Sequence, residues 1–583
     1  MKIKYILLFL MAWVISMNSA YAQQTVTASG SVMDEKGEVL IGVSVSVKEV
    51  PSMGTITDID GRFRITGIKN GNTLLISYVG YDTQEIRMTK SNERMRVVLT
   101  ESSNVMDEVV ITASGKVQKK INVTGAITGV EVATLKTPAT SVSNMLGGRV
   151  PGIISVTSSG EPGKDFSEFW VRGISTFGAG AGALVLIDGI EGNLNTLDPE
   201  DIESFSILKD ASSTAVYGVR GANGVVLVTT KKGKAGKLNL QVKANAGISY
   251  SPRMLDFVNA AQYAQLANEA SVTRGGIPIY TDVDLALYAN HMDPDLHPDV
   301  NWKDVILKDY TWNQQYFLSA SGGGEVARYY ISAGYTTKDA IFKQDKGVNR
   351  YNTNVNYNKF NFRANVDVNV TPTTTLSLNE ETVIVTQNYP GFGNDSKRLW
   401  EAQSSLTPVT VPLMYTTGQA PGYGTNKSTI SPYVLMNMTG YRKLYANNNK
   451  ITMQLNQDLK AITPGLSIMG LFNIDSNSSH TQIREKLPAI YYANGRKRDG
   501  TLDMEKVIDA QEPSYNRLTE NDRKFYYEFR LNYDRVFDKV HRVGALVNAY
   551  WSDFESSKFG ELLTAIPKRY NSCLLYTSDA ADE

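Results

Sequence analysis

The chain has 583 residues, which is too long for one ordinary domain, and its 59 basic and 59 acidic residues give a formal net charge of zero. This balance gives no support to a nucleic-acid-binding function, which needs a basic surface. The only cysteine is Cys573, so the sequence excludes a disulfide framework and a zinc site built on cysteines.

The first 22 residues have the layout of a secretory signal peptide. Lys2 and Lys4 precede an apolar run over residues 5–17, and Ala20-Tyr21-Ala22 fits the small-x-small pattern of a cleavage site. The run is too short to cross about 30 Å of hydrocarbon as a helix, and an uncleaved signal anchor is the alternative. No long apolar stretch follows, so residence in a membrane would require closed β-structure.

Residues 24–99 are predicted to form a small β-sandwich. Short β-prone runs at 31–34, 43–47, 62–66 and 73–79 are separated by turn signals at 35–37, 58–61 and 70–72. Asp58 to Gly61 is predicted to be a hairpin turn and not a calcium loop, because Lys69 occupies the position where an EF-hand needs glutamate. The runs GSVMDEKGEVLIGVSVSVK, GTITDIDGRFRI and ISYVGY resemble the carboxypeptidase-regulatory-like domain. That resemblance implies an accessory fold without catalytic residues.

Residues 100–113 are predicted to be a linker that carries a short β-prone run. Such a run can join the sheet edge of a partner by β-augmentation, and the alternative is that it forms the last strand of the sandwich. The segment resembles the TonB box of TonB-dependent transporters. The resemblance implies that TonB binds Asp107, Glu108, Val109, Val110, Ile111 and Thr112.

Residues 114–234 are predicted to be a glycine-rich α+β domain. Three motifs, LGGRVPGI, WVRGISTFGAGAGALVLIDG and DPEDIESFSILKDASSTAVYGVRGANGVVLVTTKKGK, closely resemble the plug domain of SusC-like (SusC/RagA) TonB-dependent transporters of Bacteroidetes. The resemblance implies structural and gating roles, not catalysis, for the matching residues. These are Arg149, Arg172, Gly173, Asp188, Gly189, Lys209, Asp210, Tyr217, Gly218, Arg220, Gly221, Asn223 and Gly224.

Within residues 235–571, several runs alternate between apolar and polar side chains, as in residues 238–248 and 360–370. About nine such runs predict part of a transmembrane β-barrel, with the apolar face towards lipid and long polar loops at 250–313, 388–449 and 480–522. Val366 is therefore expected to face lipid, and Asn365 to face a lumen that would tolerate arginine. Plugged barrels have about 22 strands. We expect that the sequence is the N-terminal part of a longer protein and that residues 572–583 are not native.

The segment HMDPDLHPD at 291–299 gathers two histidines, but their spacing is not a helical metal-ligand spacing, and HExxH and GxSxG motifs are missing. The sequence therefore predicts no enzyme, no metal and no cofactor. The family resemblance implies a mainly β protein of the bacterial outer membrane that imports a glycan oligosaccharide or a peptide. The implied partners are outer-membrane lipid, a SusD-like surface lipoprotein and TonB, with ExbB and ExbD acting indirectly. A TonB-dependent signal transducer of the same architecture is the alternative.

Overall fold

The computed structural model of the chain describes residues 25–34, 39–40, 42–78, 81, 83–99, 109–111, 117–119, 127–130, 132, 141–173, 182–251, 256–391, 396–537, 541–557 and 564–580. The predicted signal peptide lies outside these residues, as do Asp107, Glu108 and Thr112 of the predicted TonB box. The described part of the chain is mainly β, as predicted. It divides into two compact units, one made of residues 1–109 and 119–121 and the other of residues 110–118 and 122–583.

The first unit contains the predicted β-sandwich. Its two sheets have the strand orders β4-β1-β7 and β3-β2-β5-β6, and they enclose an apolar core that includes Val45, Ile68 and Ile76. The turn at Asp58 is present, and the Asp58 carboxylate accepts hydrogen bonds from the backbone N–H groups of Asp60 and Arg62. It is not a hairpin, however, because β3 and β4 belong to different sheets. The strands are β1 (Thr25–Asp34), β2 (Ser44–Val47), β3 (Val50–Ile56), β4 (Arg62–Lys69), β5 (Thr73–Ser77), β6 (Gln84–Arg87) and β7 (Asn92–Leu99).

The predicted TonB box contains strand β8 (Val109–Ile111), which forms a two-stranded sheet with β9 (Val117–Lys119). β8 is therefore not part of either sheet of the sandwich, which was the alternative prediction.

A compact α+β region, here called the plug, occupies the described residues between 127 and 234. Its central sheet has the order β10-β15-β16-β13-β14, in which only β13 and β16 run parallel, and β11 and β12 form a separate hairpin. The elements are β10 (Ile127–Val130), α1 (Val142–Leu146), β11 (Ile153–Thr157), β12 (Ser167–Val171), β13 (Leu184–Ile187), β14 (Ile190–Glu191), β15 (Ile202–Leu208), α2 (Ala211–Thr214) and β16 (Val225–Thr230), with 3-10 turns at Pro199–Asp201 and Ala215–Gly221.

Ten long strands form one antiparallel sheet, here called the wall, in the order β17-β18-β19-β20-β21-β24-β25-β28-β29-β30. All nine predicted strands are present, and residues 564–580 add a tenth, so that the non-native origin of residues 572–583 stays a prediction. The strands are β17 (Gly236–Ser249), β18 (Thr311–Gly323), β19 (Ala327–Asp339), β20 (Asn356–Thr371), β21 (Thr374–Pro390), β24 (Gly440–Asp458), β25 (Leu466–Leu487), β28 (Gln511–Phe537), β29 (His541–Ser557) and β30 (Thr564–Ala580).

The two faces of the wall are chemically opposite, as the alternation predicts. Outward-facing side chains are apolar and exposed, such as Val242 at 77% and Met453 at 44%, whereas the inward-facing Arg363 and Glu381 are 4% and 5% exposed. Long connections leave the wall at one end, and short turns such as residues 372–373 join the strands at the other. The rule for outer-membrane barrels predicts that the long-connection end faces the cell exterior.

The apolar band on the outward face moves steadily from strand to strand. Leu240 of β17 and Phe525 of β28 lie in one row of directly paired residues that crosses the sheet. On β17, the centre of the apolar band lies about three residues from this row, towards the long-connection end. On β28, the centre lies about four residues from the row, towards the short-turn end. A drift of about seven residues over seven strand spacings corresponds to a strand tilt of about 35°, which is the tilt of a membrane barrel.

The long segments between strands are not the polar loops that the sequence predicts. They contain α3 (Ala260–Thr273), α4 (Asp282–Asn290), α5 (Trp302–Ile306), α6 (Lys397–Ser404) and α7 (Pro432–Asn437), and a sheet of β22 (Ala420–Tyr423), β23 (Thr429–Ile430), β26 (Ile490–Arg496) and β27 (Leu502–Ile508). Trp302, Leu399 and Met436 belong to their buried core. The wall strands also continue further than predicted, because polar runs such as Asn447 to Asn449 keep the backbone pairing without apolar alternation.

Candidate functional site

The plug lies against the inward face of the wall, and described ion pairs between the two join a basic side chain of the wall to a carboxylate of the plug. We call this polar contact the seat. The wall contributes basic side chains from β17, β19, β20, β24 and β28, and the plug contributes acidic ones. The basic residues are Lys243, Lys338, Lys359, Arg363, Lys450 and Lys524, and the acidic residues are Asp165, Asp188, Glu191, Asp198, Glu200 and Asp201.

Arg363 of β20 is the centre of the seat. Its Nη2 lies 2.5 Å from Glu381 Oε2, its Nε lies 3.6 Å from Asp201 Oδ2, and its Nη1 lies 3.9 Å from Asp188 Oδ2. Asp201 Oδ1 also accepts hydrogen bonds from the hydroxyls of Tyr330 at 2.8 Å and Ser332 at 2.6 Å. One buried guanidinium thus joins two strands of the wall to two segments of the plug.

The acidic turn of the plug at residues 198–201 packs directly on the wall. Asp198 accepts a hydrogen bond from the backbone N–H of Glu200 at 2.9 Å, and Lys243 Nζ of the wall lies 2.5 Å from Glu200 Oε1. Burial, together with repulsion from Asp201, raises the pKa of Asp198 to about 6. The close carboxylates therefore make this turn sensitive to pH.

A second contact joins β14 of the plug to β28 of the wall. Glu191 forms ion pairs with Arg220 of the plug and with Lys524 Nζ of the wall, the latter at 2.7 Å. Burial opposes the charged form of Glu191, but Lys524 and Arg220 together hold its pKa below its ordinary value. A cavity of about 250 Å³ adjoins this contact and is lined by Tyr217, Arg220, Glu528 and Tyr550, among others.

Asn365 does not face an open lumen, so the prediction that arginine would be tolerated there is wrong. Its side chain is 2% exposed and donates hydrogen bonds to Thr230 Oγ1 at 2.9 Å and to the Lys231 carbonyl at 2.7 Å. Asn365 faces inward as predicted, but the plug fills the lumen at this position.

Several predicted plug residues serve the internal structure of the plug. Arg172 has a left-handed backbone with φ of 60° and forms an ion pair with Asp210 at 2.8 Å. Lys209 Nζ donates to the Pro151 carbonyl, and Arg149 is exposed beside the end of α1. The sequence-adjacent Lys209 and Asp210 therefore contact different segments.

Asp188 belongs to both the plug turn and the seat, with a left-handed φ of 50° and hydrogen bonds from Thr230 N at 2.9 Å and Thr230 Oγ1 at 2.7 Å. Gly224 has a φ of 87°, and a Cβ atom there would lie 2.9 Å from Val171 Cβ, so that a larger residue would separate two plug strands. Tyr217 and Asn223 are partly buried. Gly173, Gly189 and Gly218 also have positive φ, and a Cβ atom on Gly221 would crowd Thr214.

A larger cavity of about 1020 Å³ lies between the plug and the long-connection end of the wall. Amide side chains such as Asn245 and Gln315 line it together with Glu161, Lys164 and Trp400. The Glu161 carboxylate connects the plug to α6, because its Oε2 accepts hydrogen bonds from the backbone N–H of Ser396 at 2.8 Å and from the Ser396 hydroxyl.

Two further observations bear on the function classes. Within the ranges described above, no group of three or more His, Cys, Asp and Glu side chains is placed to hold a metal ion. Among the same residues, no helix combines the length and the apolar character needed to cross a bilayer.

Comparisons with known proteins agree with this architecture. Residues 28–111 match the CarboxypepD_reg-like domain, and residues 119–225 match the TonB-dependent Receptor Plug Domain. The TonB-dependent receptor SusC of Bacteroides thetaiotaomicron is 33% identical over 60% of this chain and 34% of its own length. The TonB-dependent receptor P39 of Formosa agariphila is 36% identical over 58% of this chain and 31% of its own length.

The chain is therefore similar to the SusC-like TonB-dependent receptors. The predicted location in the bacterial outer membrane is confirmed with it. The chain spans about a third of the length of the curated relatives that it matches. These relatives are receptors by name and not enzymes, in agreement with the sequence analysis.

Solved structures show the same fold. The RagAB peptide importer in its closed-closed state has a TM-score of 0.58 and 19% identity, over 78% of this SusC-like chain and 52% of the solved chain. The open-open state also has a TM-score of 0.58, with 20% identity over 80% and 53% of the two chains.

Five acidic residues on the plug side of the seat were not predicted from the sequence, namely Asp165, Glu191, Asp198, Glu200 and Asp201. The sequence of the wall strands nevertheless indicates that acidic partners are needed. Alternation places Lys243, Arg363 and their basic neighbours on the inward face, and buried cations require acidic partners. The acidic run DPED in the plug motif was the available match.

Proposed function

We propose that the complete protein imports a nutrient across the outer membrane in a TonB-dependent manner, by displacement of the plug from the wall. The observation that carries this proposal is the composition of the seat. In the described part of the chain, both apolar clusters of the plug consist of plug residues alone. The plug contacts the wall through ion pairs and hydrogen bonds, with an edge-to-face contact of Phe166 and Tyr357 in addition.

Such a plug can leave its seat as a packed body. A hydrogen bond exchanged for water costs a net ~0.5–1.5 kcal/mol, so polar contacts can be broken one after another if water enters. Separation of an apolar core would instead cost about 25 cal/mol for every Å² exposed. The plug therefore keeps its own core while it loses its contacts with the wall.

The work for this displacement would arrive through the linker, because the outer membrane has no nucleotide supply. We propose that TonB, energised through ExbB and ExbD, pairs with residues 107–112, of which β8 is the described part. Residues Arg172, Asp188, Lys209, Asp210 and Arg220 would then hold the plug together or to the wall during the pull.

The cavity of about 1020 Å³ is our proposed substrate site, and a SusD-like lipoprotein is the proposed partner at the long-connection end. Amide side chains such as Asn245 and Gln315 can donate to and accept from hydroxyl or peptide groups. The exposed ring of Trp400 provides an apolar contact surface. An oligosaccharide or a peptide fits this lining, and the similar RagAB is a peptide importer by name.

A proline at position 110 of the complete transporter tests the proposal. Val110→Pro removes a backbone donor from β8 and should abolish energised uptake, whereas Val110→Ala keeps the donor and should retain it. Uptake of labelled substrate by intact cells measures the effect, with equal amounts of both variants confirmed in outer membranes. Normal uptake by the proline variant would disprove the assigned TonB box.

The second candidate function is signal transduction without import. The N-terminal unit counts against it, because a signalling domain would have a βαβ pattern and the described sandwich is built from strands. A complete transporter that captured substrate and changed transcription, but transported nothing, would favour the transducer.

A further inference from the structure

A group of basic side chains lies on the outward face of the wall, at its long-connection end. Lys443 of β24 is paired directly with Gln482 of β25, which is paired with Arg517 of β28, so these side chains share one face. Arg484 follows Gln482 by two residues and lies on the same face. We call Lys443, Arg484 and Arg517 the basic cluster, and the Gln482 amide lies at its centre.

The basic cluster points away from the plug and from the proposed substrate cavity. Lys450 of β24 faces inward, since its Nζ lies 3.4 Å from the Glu191 carbonyl of the plug. Lys443 is seven residues from Lys450 in a strand without a bulge, so alternation puts it on the opposite face. A ligand of the basic cluster is therefore distinct from the transported substrate.

The basic cluster has no carboxylate partner within the described part of the chain. No described Asp or Glu forms an ion pair with any of its three side chains, and the described outward positions within 441–447, 478–486 and 513–521 hold no acidic residue. The inward face at the same level is different, because Arg442 forms an ion pair with Glu485 there. Like charges gathered on one surface repel one another, and a bound anion would remove this repulsion.

The spacing of the basic cluster suits one phosphate group. The α carbons of Lys443 and Arg517 are two strand spacings apart, about 9.6 Å, and Arg484 lies about 7 Å further along the middle strand. Aromatic rings hold two of the side chains. Lys443 Nζ lies 4.9 Å from the centre of the Tyr445 ring, and Arg484 Cζ lies 5.8 Å from that of Tyr515. Guanidinium groups bind phosphate oxygens through paired hydrogen bonds, and the central amide can donate another.

The basic cluster lies above the hydrocarbon layer. The exposed apolar residues of β24 are Ile451, Met453 and Leu455, so the band centre is near Met453. Lys443 is ten residues from Met453, which at the strand tilt of about 35° corresponds to about 27 Å from the midplane. The hydrocarbon extends about 15 Å from the midplane. Long basic side chains at this height reach the sugars and phosphates of the lipid and not its acyl chains.

We propose that the basic cluster binds a phosphate group of an outer-leaflet glycolipid. Groups of Lys and Arg beside membrane-spanning segments recognise anionic lipid head groups, and phosphate supplies acceptors for both guanidinium groups and the ammonium group. Free phosphate has the same charge and the same oxygens. It lacks the acyl chains, however, which would pack on the apolar outward side chains of the band below the cluster. The glycolipid should therefore bind more tightly than free phosphate.

Binding of lipopolysaccharide to the purified complete transporter tests the site. The probe is a rough-type lipopolysaccharide with a phosphorylated core, titrated in detergent and counted on the protein by native mass spectrometry. The combined variant Lys443→Gln, Arg484→Gln and Arg517→Gln should bind it about a hundred-fold more weakly than the parent protein, at about five-fold for each basic residue. Binding of equal strength would overturn the proposal.

A matched control loses the same charge from another exposed part of the long-connection end. Lys397→Gln, Lys497→Gln and Lys506→Gln together remove three lysines that form exposed ion pairs, and this variant should bind the lipopolysaccharide as the parent does. An equal loss in the control would show that overall charge, and not the basic cluster, attracts the lipid. Heat-modifiable mobility in gels verifies that both variants are folded.

Two further arms identify the source of the phosphate. Lipopolysaccharide whose phosphates have been removed with hydrofluoric acid should bind as weakly as the intact form binds to the cluster variant, and millimolar inorganic phosphate should not displace the intact form. Equal binding of the dephosphorylated form, or displacement by inorganic phosphate, would contradict the glycolipid assignment. A protein that co-purified with the parent and was lost from the cluster variant would identify a protein occupant instead. The test measures binding and not uptake, so its result is independent of the import proposal.

Discussion

The two faces of the wall are chemically opposite, although their side chains alternate along the same strands. The bilayer determines the composition of the outward face, whose apolar side chains need no specific partner. The plug determines the composition of the inward face. Each charged side chain there needs a particular partner, as Arg363 needs Asp201 and Glu381. One face therefore tolerates any apolar residue, whereas the other depends on individual pairs.

The largest effect is expected from removal of the central cation of the seat. Arg363→Met leaves Asp201 and Glu381 buried without their partner, which should cost about 3–5 kcal/mol of unfolding free energy. Denaturant unfolding of the complete barrel in vesicles measures the loss. The control is Arg172→Met, which breaks an ion pair whose side chains are 55% and 33% exposed and should cost at most about 1 kcal/mol. Equal losses would show that burial does not distinguish these pairs.

A charged residue on the outward face should lower the stability of the barrel in the membrane. Val366→Arg places a cation in the apolar band and should cost roughly 2–4 kcal/mol near the bilayer midplane. The same assay applies. Asn245→Arg, on the inward face beside the cavity of about 1020 Å³, should cost much less because water remains available. A similar cost for both substitutions would mean that the faces are assigned wrongly.

The smallest predicted effect is a pH dependence of the seat. The raised pKa of Asp198, about 6, lies above its unfolded value, so the folded state retains a proton that the unfolded state releases. Stability should therefore fall as pH rises from about 4 to about 6 and stay lower above that. Asp198→Asn keeps the acceptor for the Glu200 N–H and should recover on the order of 1–3 kcal/mol at pH 7.5, with little change at pH 4.

The matched control for Asp198 is a paired carboxylate. Asp165 Oδ2 lies 2.5 Å from Lys338 Nζ, so Asp165→Asn should destabilise the protein at pH 7.5 instead of stabilising it. If both asparagine variants lowered stability, the close carboxylates of residues 198–201 would not be a source of repulsion.

Most of the fold could be predicted from the sequence, because alternation with a period of two fixes both the strands and their faces. Strand ends could not, since polar pairs such as Asn448 and Asn477 continue a ladder without any apolar signal. The seat could be predicted only in part. Its members, such as Asp201 and Ser332, are more than a hundred residues apart and meet because the plug is enclosed. A local sequence pattern therefore cannot predict which of these residues come into contact.

The drift of the apolar band has a geometric consequence for the size of the pore. If the slip of about one residue for each strand continues around a closed barrel, the shear number of that barrel is about equal to its strand number. Barrels with this equality have a strand tilt near 36° whatever their circumference, as the eight-stranded, shear-eight barrel of the (β/α)₈ fold does. The inclination of this wall is thus already decided by its first strands. Each further hairpin can widen the passage without changing the angle at which the strands meet the membrane.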